Sequence, residues 1–197
     1  MTKTIKIETE RLFLRQWRNS DFAPFAEMNS DERVMEFYPS TLSQQQSDKM
    51  ASRCQSLIKK RGWGFWALEE KKSNQFIGFT GLHIPTHDLP FSPCVEIGWR
   101  LSPLFWGQGL VTEAAKAALN AAFKTLNLDE IVSFASIGNV RSIAVMERIN
   151  MTKEQGTFEH PALPVGHPLR EHCLYRLPKS RWSESVKGRL CVTEASH

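Results

Sequence analysis

The sequence predicts an α/β (α+β) fold in one domain, and three observations carry that prediction. First, the 197 residues, 41% hydrophobic and 23% charged, suit one compact domain with a core large enough to fold unaided. Second, short aromatic and β-branched runs share the chain with segments of helical period. Third, the period changes abruptly at Gly107-Gln108-Gly109, where a strand-like run gives way to an alanine-rich helical one.

The elements follow in order. Ile5 to Arg15 is rich in β-formers and partly alternating, so it reads as a first strand interrupted near Glu8 to Glu10 by a bulge or turn. Asn19-Ser20-Asp21 offers N-cap chemistry for a helix to about Asn29, and Ser43 or Thr41 caps a second helix to about Lys60. Trp63 to Leu68 and Gln75 to Gly81, separated by a polar Glu69 to Asn74 segment, form the pattern of an antiparallel hairpin. Pro85, Pro90 and Pro93 then mark a mobile loop before a strand from Cys94 to Leu101 that ends at Ser102-Pro103. From Gly109 to about Leu126, Leu110, Ala114, Ala117, Ala118 and Ala121 recur at helical spacing. Ile131 to Ser136 is a short strand, Asn139 begins a helix through Ile149, and Asn150 stands where a left-handed C-terminal residue is expected. Strands near Thr152 to Glu159 and Glu171 to Leu177 complete the domain, residues 1–178, and residues 179–197 form a weakly ordered tail.

Composition excludes several classes. The opening residues carry no apolar leader, and no stretch approaches the roughly 18 apolar residues of a membrane span, so a cytoplasmic protein without membrane association is expected. Cys54, Cys94, Cys173 and Cys191 form no C-x-x-C pair, which fits reduced, inert thiols better than a disulfide framework or a zinc site. The net charge of +4 is mild and its basic residues are dispersed, so nucleic acid is not the expected partner, although a modest positive field suits an anionic cofactor. His83 and His87 are four apart, but Pro85 between them precludes the helix that would align them, and no metal is expected. His160, His167 and His172 read as surface histidines, with a substrate-side role as the alternative.

A strand, then Gly107-x-Gly109, then a helix is an arrangement suited to an anion: the glycines let backbone approach it, and unpaired amides at the helix start point towards it. No Gly-Lys-Ser/Thr follows, so the loop is not a P-loop, and Thr112 stands where a dinucleotide fold would place its third glycine. Taken alone, the same pattern also describes an ordinary tight strand-to-helix turn.

The segment Val95 to Ala114, with Trp106-Gly107-Gln108-Gly109-Leu110-Val111 at its centre, closely resembles the cofactor-binding segment of the GNAT superfamily of N-acetyltransferases. The branch that modifies ribosomal-protein N-termini looks nearest. Glu8 to Arg15 resembles that branch's "ETERLxLR" opening, and Asn139-x-x-Ser142 followed by Glu147-Arg148-Ile149 resembles its later helix. Three motifs in family order, spanning about Ile5 to Leu177, make the resemblance specific. It departs from the superfamily pattern at Trp106 (usually Gln or Arg), Val111 (usually Gly or Ala) and Asn150-Met151 (commonly Gly-Phe).

The resemblance implies a mixed, mostly antiparallel central sheet with helices on both faces and a splay between its two central strands. It implies acetyl-CoA as cosubstrate, bound by Trp99, Arg100, Leu101, Trp106, Gly107, Gln108, Gly109, Leu110, Val111, Thr112, Asn139 and Ser142. Backbone amides around Trp99 to Leu101 would bind pantetheine, and one could stabilise the oxyanion. Glu96 is the candidate base, acting through a water. Many superfamily members place a tyrosine in the later helix as the acid, but the matching residue is Met146, so Ser142 is the candidate that protonates or relays to the thiolate. The bland readings are a solvent-facing glutamate and a helix serine bonded to its own backbone. Glu32, Glu36, Phe37 and Tyr38 are candidate acceptor contacts, because the N-terminal helices form the acceptor wall in this family. Direct transfer to a primary amine follows, the acceptor being a protein N-terminus or a small amine, in a monomer or homodimer. Two rivals remain, a CoA-binding protein without turnover and an RNA- or ribosome-associated module whose affinity would fall steeply with salt.

Overall fold

The computed structural model describes residues 3–182. Its strands are β1 (Ile7–Glu8), β2 (Leu12–Arg15), β3 (Phe65–Glu70), β4 (Gln75–His83), β5 (Glu96–Leu101), β6 (Glu130–Ser136), β7 (Thr152–Lys153), β8 (Phe158–Glu159) and β9 (Glu171–Pro178). They form one sheet in the order β1-β2-β3-β4-β5-β6-β9-β7, with β8 also on β9. Every pairing is antiparallel except β5 with β6. The helices are α1 (Phe22–Ser30), α2 (Glu32–Met35), α3 (Gln44–Arg61), α4 (Leu110–Asn120) and α5 (Val140–Arg148).

Local chemistry accounts for most boundaries. Thr9 Oγ1 accepts the Leu12 amide at 3.0 Å, closing the turn that interrupts the first strand. Ser43 and Gln46 make a reciprocal capping box at the start of α3, and Gly62 closes its end in the left-handed conformation. Asn139 caps α5 through its side chain, and Asn150 follows that helix with φ of 64°. The helix expected from Gly109 to Leu126 is present, but its last turn, Ala121–Thr125, widens to π spacing.

Three expectations need correction, and one element was not expected. Asn19–Asp21 is a 3-10 turn rather than the cap of α1, because Asp21 spends its carboxylate on Arg15 and on the Arg18 amide. The strand from Cys94 begins only at Glu96. The strand expected over Thr152 to Glu159 is the separate short pieces β7 and β8, parted at Gly156, whose φ is 80°. The one-turn α2, unforeseen in the sequence, starts at Asp31, whose side chain accepts the Arg33 amide. Lys179–Arg181 forms a 3-10 turn and Trp182 packs on Phe123, ring centroids 5.7 Å apart. The rest of the expected tail, with Cys191, lies outside the described residues.

The core is continuous from the sheet into both helical layers. Trp17 and Trp66 are fully buried, and each indole N–H finds a carbonyl, on Phe65 at 2.7 Å and Ile5 at 2.9 Å. Among the buried polar groups is a charge network around Arg15. Arg15 forks onto both oxygens of Asp21 at 2.7 and 2.9 Å and reaches Glu69 at 2.7 Å, while Arg18 also meets Glu69 at 2.7 Å. Burial works against the Arg15 charge, yet the hydrogen bonds and charges of Asp21 and Glu69 outweigh it and hold its pKa above the usual arginine value. Removing Asp21 leaves the buried Arg15 cation with only Glu69, which it shares with Arg18. Asp21→Ala should therefore lower the unfolding free energy by about 3 kcal/mol, read from urea denaturation with an unchanged m-value.

Candidate functional site

β5 and β6 register at a single pair, Glu96 with Val132. The Val132 amide donates to the Val95 carbonyl at 3.0 Å, and the Ser133 hydroxyl takes over where the ladder stops, donating to the Ile97 carbonyl at 3.0 Å. Backbone groups alternate along a strand, so Trp99 and Leu101 turn the same edge as Val95 and Ile97, now with no neighbouring strand to meet. This is the splay, and its open edge carries the amides of Trp99 and Leu101. Arg100, expected in the same role, turns its backbone towards β4, where it registers with Phe79. It is its side chain that reaches the site.

Two adjoining cavities meet at this edge. The first, about 650 Å³, is lined by Trp99, Leu101, Trp106, Gly107, Gly109, Leu110 and Val111 on one side and by Asn139, Arg141, Ser142 and Arg148 of the α5 segment on the other. The second, about 540 Å³, is lined by Glu96, Gly98, Arg100, Phe65, Phe79 and Ser133 to Ser136, with His83, His87, His160 and His172 around it. Phe37, Tyr38, Trp99, Arg100, Asn139 and Ser142 line both.

The glycine loop has the geometry of an anion cradle. Gly107 and Gly109 have φ of 73° and 75°, where a side chain would be strained, and Gly107 faces open space. No side chain caps α4, which leaves its first amides for a ligand. The loop is braced from the N-terminal segment. Glu113 accepts from Thr9 Oγ1 at 2.6 Å and from the Arg11 amide at 2.9 Å and Nε at 2.6 Å, while Arg11 Nη1 donates to the Gln108 carbonyl at 2.9 Å. Burial opposes the Glu113 charge, but these bonds prevail and hold its carboxyl below the usual range. Arg11 thereby cancels a negative charge that would otherwise repel an anion at the loop. Trp106, in place of the usual Gln or Arg, donates its indole N–H to the Leu101 carbonyl at 2.8 Å, tying the loop to the end of β5.

Gln108 and Thr112 do not line either cavity; the Gln108 carboxamide folds back onto the Leu104 carbonyl at 3.1 Å. Ser142 lies at the junction of the cavities, its amide held by Asn139 Oδ1 at 3.1 Å. Met146 is fully buried in the core. Glu96 has no hydrogen-bond or ion-pair partner among the described residues, and burial pushes its carboxyl up to about 7. Phe37 and Tyr38 form the wall between the cavities, whereas Glu32 and Glu36 line neither: Glu36 is drawn to Arg141 at 2.5 Å.

Sequence reasoning missed several lining residues. Arg141 stacks over the Trp106 ring, 4.7 Å from its centroid, and Arg148 lies one side of the same cavity. His160 and His172, expected at the surface, are half-buried with ring centroids 5.0 Å apart, against Phe134 and Phe158. Burial pushes His160 down to about 4, helped by His172 and His87, and lowers His172 as well, so both are neutral near pH 7. His83, stacked on Phe65, is likewise pushed down to about 4 by burial. Among the described residues no group of three or more His, Cys, Asp or Glu is placed to hold a metal.

Comparison with known proteins agrees with this geometry. The family model described as an acetyltransferase (GNAT) domain matches residues 11–152. The uncharacterized N-acetyltransferase YnaD of Bacillus subtilis is 27% identical over 179 residues, which is 90% of this chain and 99% of YnaD. A GNAT-family acetyltransferase from Bacillus anthracis superposes with a TM-score of 0.74 at 24% identity, covering 89% of this chain and 99% of the other. RimJ of Mycobacterium smegmatis, solved in complex with CoA-disulfide, superposes with a TM-score of 0.67 at 19% identity, covering 88% and 85%.

The brace on the loop can be tested apart from any chemistry. Glu113→Ala frees Arg11 and loosens the Gln108 carbonyl, so calorimetric affinity for CoA should fall on the order of tenfold, about 1.4 kcal/mol. Unchanged affinity would show that the loop holds its shape without Glu113.

Proposed function

The chain belongs to the GNAT acetyltransferase family, and on that premise we propose that it moves the acetyl group of acetyl-CoA directly onto a primary amine held beside Glu96. The observation that carries this reading is the parting of β5 from β6. It leaves an open strand edge leading from the glycine cradle to a half-buried carboxyl that has no hydrogen-bond or ion-pair partner among the described residues.

The residues present fit the donor. The cradle at Gly107 and Gly109 suits the pyrophosphate, the Trp99 and Leu101 edge suits the amide-rich pantetheine arm, and Arg141 and Arg148 add positive charge to the same cavity. When bound, acetyl-CoA supplies an acetyl carbon activated by its thioester. Glu96, with its carboxyl raised to about 7, exchanges protons with an ammonium near neutral pH and releases the neutral amine, directly or through a water. The amine nitrogen bonds to the acetyl carbon as the carbon–sulfur bond breaks. An amide on the open edge of β5 faces the charge developing on the carbonyl oxygen, and Ser142, at the junction of the cavities, relays to the leaving sulfur the second proton that the attacking nitrogen sheds as it becomes an amide. No covalent enzyme intermediate is required. Protein N-termini and small amines remain the two acceptor classes; the ribosomal-protein branch favours the first, and a cavity of about 540 Å³ admits both.

Acetyl-CoA-dependent release of free thiol, measured with N-terminal peptides, amino acids, polyamines and aminoglycosides, tests this directly. The base form of Glu96 exists above its pKa, so kcat/KM should fall as pH drops through about 7. Glu96→Gln should lower kcat on the order of 100-fold and leave only the acceptor's own ionisation in the pH profile. Ser142→Ala should lower kcat with little change in KM. Unaltered kinetics in both variants would remove these roles, and absence of both CoA binding and thiol release would overturn the reading.

A further inference from the structure

We infer that the acceptor is an amine that also carries a carboxylate several bonds from its nitrogen, and that the Arg100 guanidinium is the counter-charge that holds it. This rests on the acetyl-transfer reading above and names the substrate class of the same site.

Arg100 is only 7% exposed, yet no carboxylate meets it among the described residues. Nη1 donates to the neutral amide oxygen of Asn29 at 2.6 Å and lies 4.0 Å from the Met50 sulfur. Nε is buried with no partner. The guanidinium lies against two ring faces, 4.2 Å from the Tyr38 centroid and 5.6 Å from that of Phe79, which offset only part of the cost of burying a charge. Arg15 provides an internal contrast: 5% exposed, it is neutralised by both Asp21 and Glu69. A fold that satisfies one buried arginine so fully leaves the other uncompensated by any carboxylate among the described residues, with its Nε donor unspent, beside a cavity, and a planar guanidinium so placed suits a planar anion.

The cavity itself indicates what brings the anion. Among the residues lining it, Glu96 is the one carboxylate and Arg100 the one lysine or arginine. Both are on β5, four residues apart, so alternation turns their side chains to the same face with Cα atoms roughly 13 Å apart. Gly98 lies between them and puts no side chain on that floor; a Cβ there would approach the Phe65 ring to 3.2 Å. The result is a trough, acidic at one end and cationic at the other, under an aromatic wall. It complements a ligand with an ammonium at one end and a carboxylate at the other, too far apart for an α-amino acid to span. An ω-amino acid and a peptide N-terminus with an acidic side chain share this chemistry.

The test is calorimetry on the CoA-saturated protein with two matched pairs: δ-aminovalerate against its carboxamide, and a peptide opening Ser-Asp against its Ser-Asn counterpart. The carboxylate partner of at least one pair should bind about thirtyfold tighter to the wild type, and the pair that responds identifies the source. In Arg100→Met the preference should collapse to near unity, while Arg100→Lys, which keeps the charge but not the fork, should retain part of it. Equal wild-type affinities within both pairs, or a preference that survives in Arg100→Met, would overturn the assignment. Thiol release measured alongside separates the two readings: a carboxylate preference without turnover would sink acetyl transfer but not Arg100, and turnover without preference the reverse.

Discussion

Backbone amides and carbonyls buried without partners are costly, and almost every one in a folded protein is paired. The parting of β5 from β6 after one registered pair breaks that rule in the middle of a sheet, where it is most expensive. The rest of the structure is organised around that breach. Ser133 lends a hydroxyl to close the apex of the wedge, Trp106 caps the Leu101 carbonyl at its mouth, and the amides in between are left for a ligand to pair. Helices α4 and α5, entering on either side, bring their N-terminal segments to the same opening.

The order of the sheet explains how a single break yields two kinds of site. Antiparallel neighbours β4 and β9 hold β5 and β6 firmly on their outer edges, so the two strands can diverge without the sheet coming apart. On the side of the glycine loop the opening presents the backbone of Gly107 and Gly109 and the free edge of β5, beside the side chains of Trp106, Arg141 and Arg148. On the other side it is lined by side chains from distant parts of the sequence: Phe37 and Tyr38 after α2, His83 at the end of β4, His160 in a loop and His172 in β9.

That division also decides what could be read from sequence. Period and capping chemistry are local, so α3 with its Ser43 box, α4 after Gly109 and α5 after Asn139 were all legible, as was the glycine loop. The Thr9-Glu10-Arg11 opening was legible as a motif but not as a brace, since its partner Glu113 lies about a hundred residues away. His160 and His172 read as surface residues, with a substrate-side role as the alternative, because nothing next to them in sequence announces burial; Phe134 and Phe158 pack on them only in three dimensions. Glu36 stands in the segment expected to form the acceptor wall, and its ion pair with Arg141, about a hundred residues away, exists only in three dimensions. Arg100 was noted for its amide, whereas a one-residue shift in alternation along β5 makes its side chain the part that matters.

A cradle and strand edge made of main chain have a further consequence. Every residue type except proline offers the same N–H, so donor recognition of this kind is indifferent to most substitutions as long as the backbone path and the loop glycines persist. The opposite wall is written in the identities of a handful of side chains, where each replacement alters shape or charge. Mutational drift in such a scaffold is therefore cheap on one side and consequential on the other, and a new acceptor can be acquired by changing a few residues around β5 without renegotiating the reagent that supplies the acyl group.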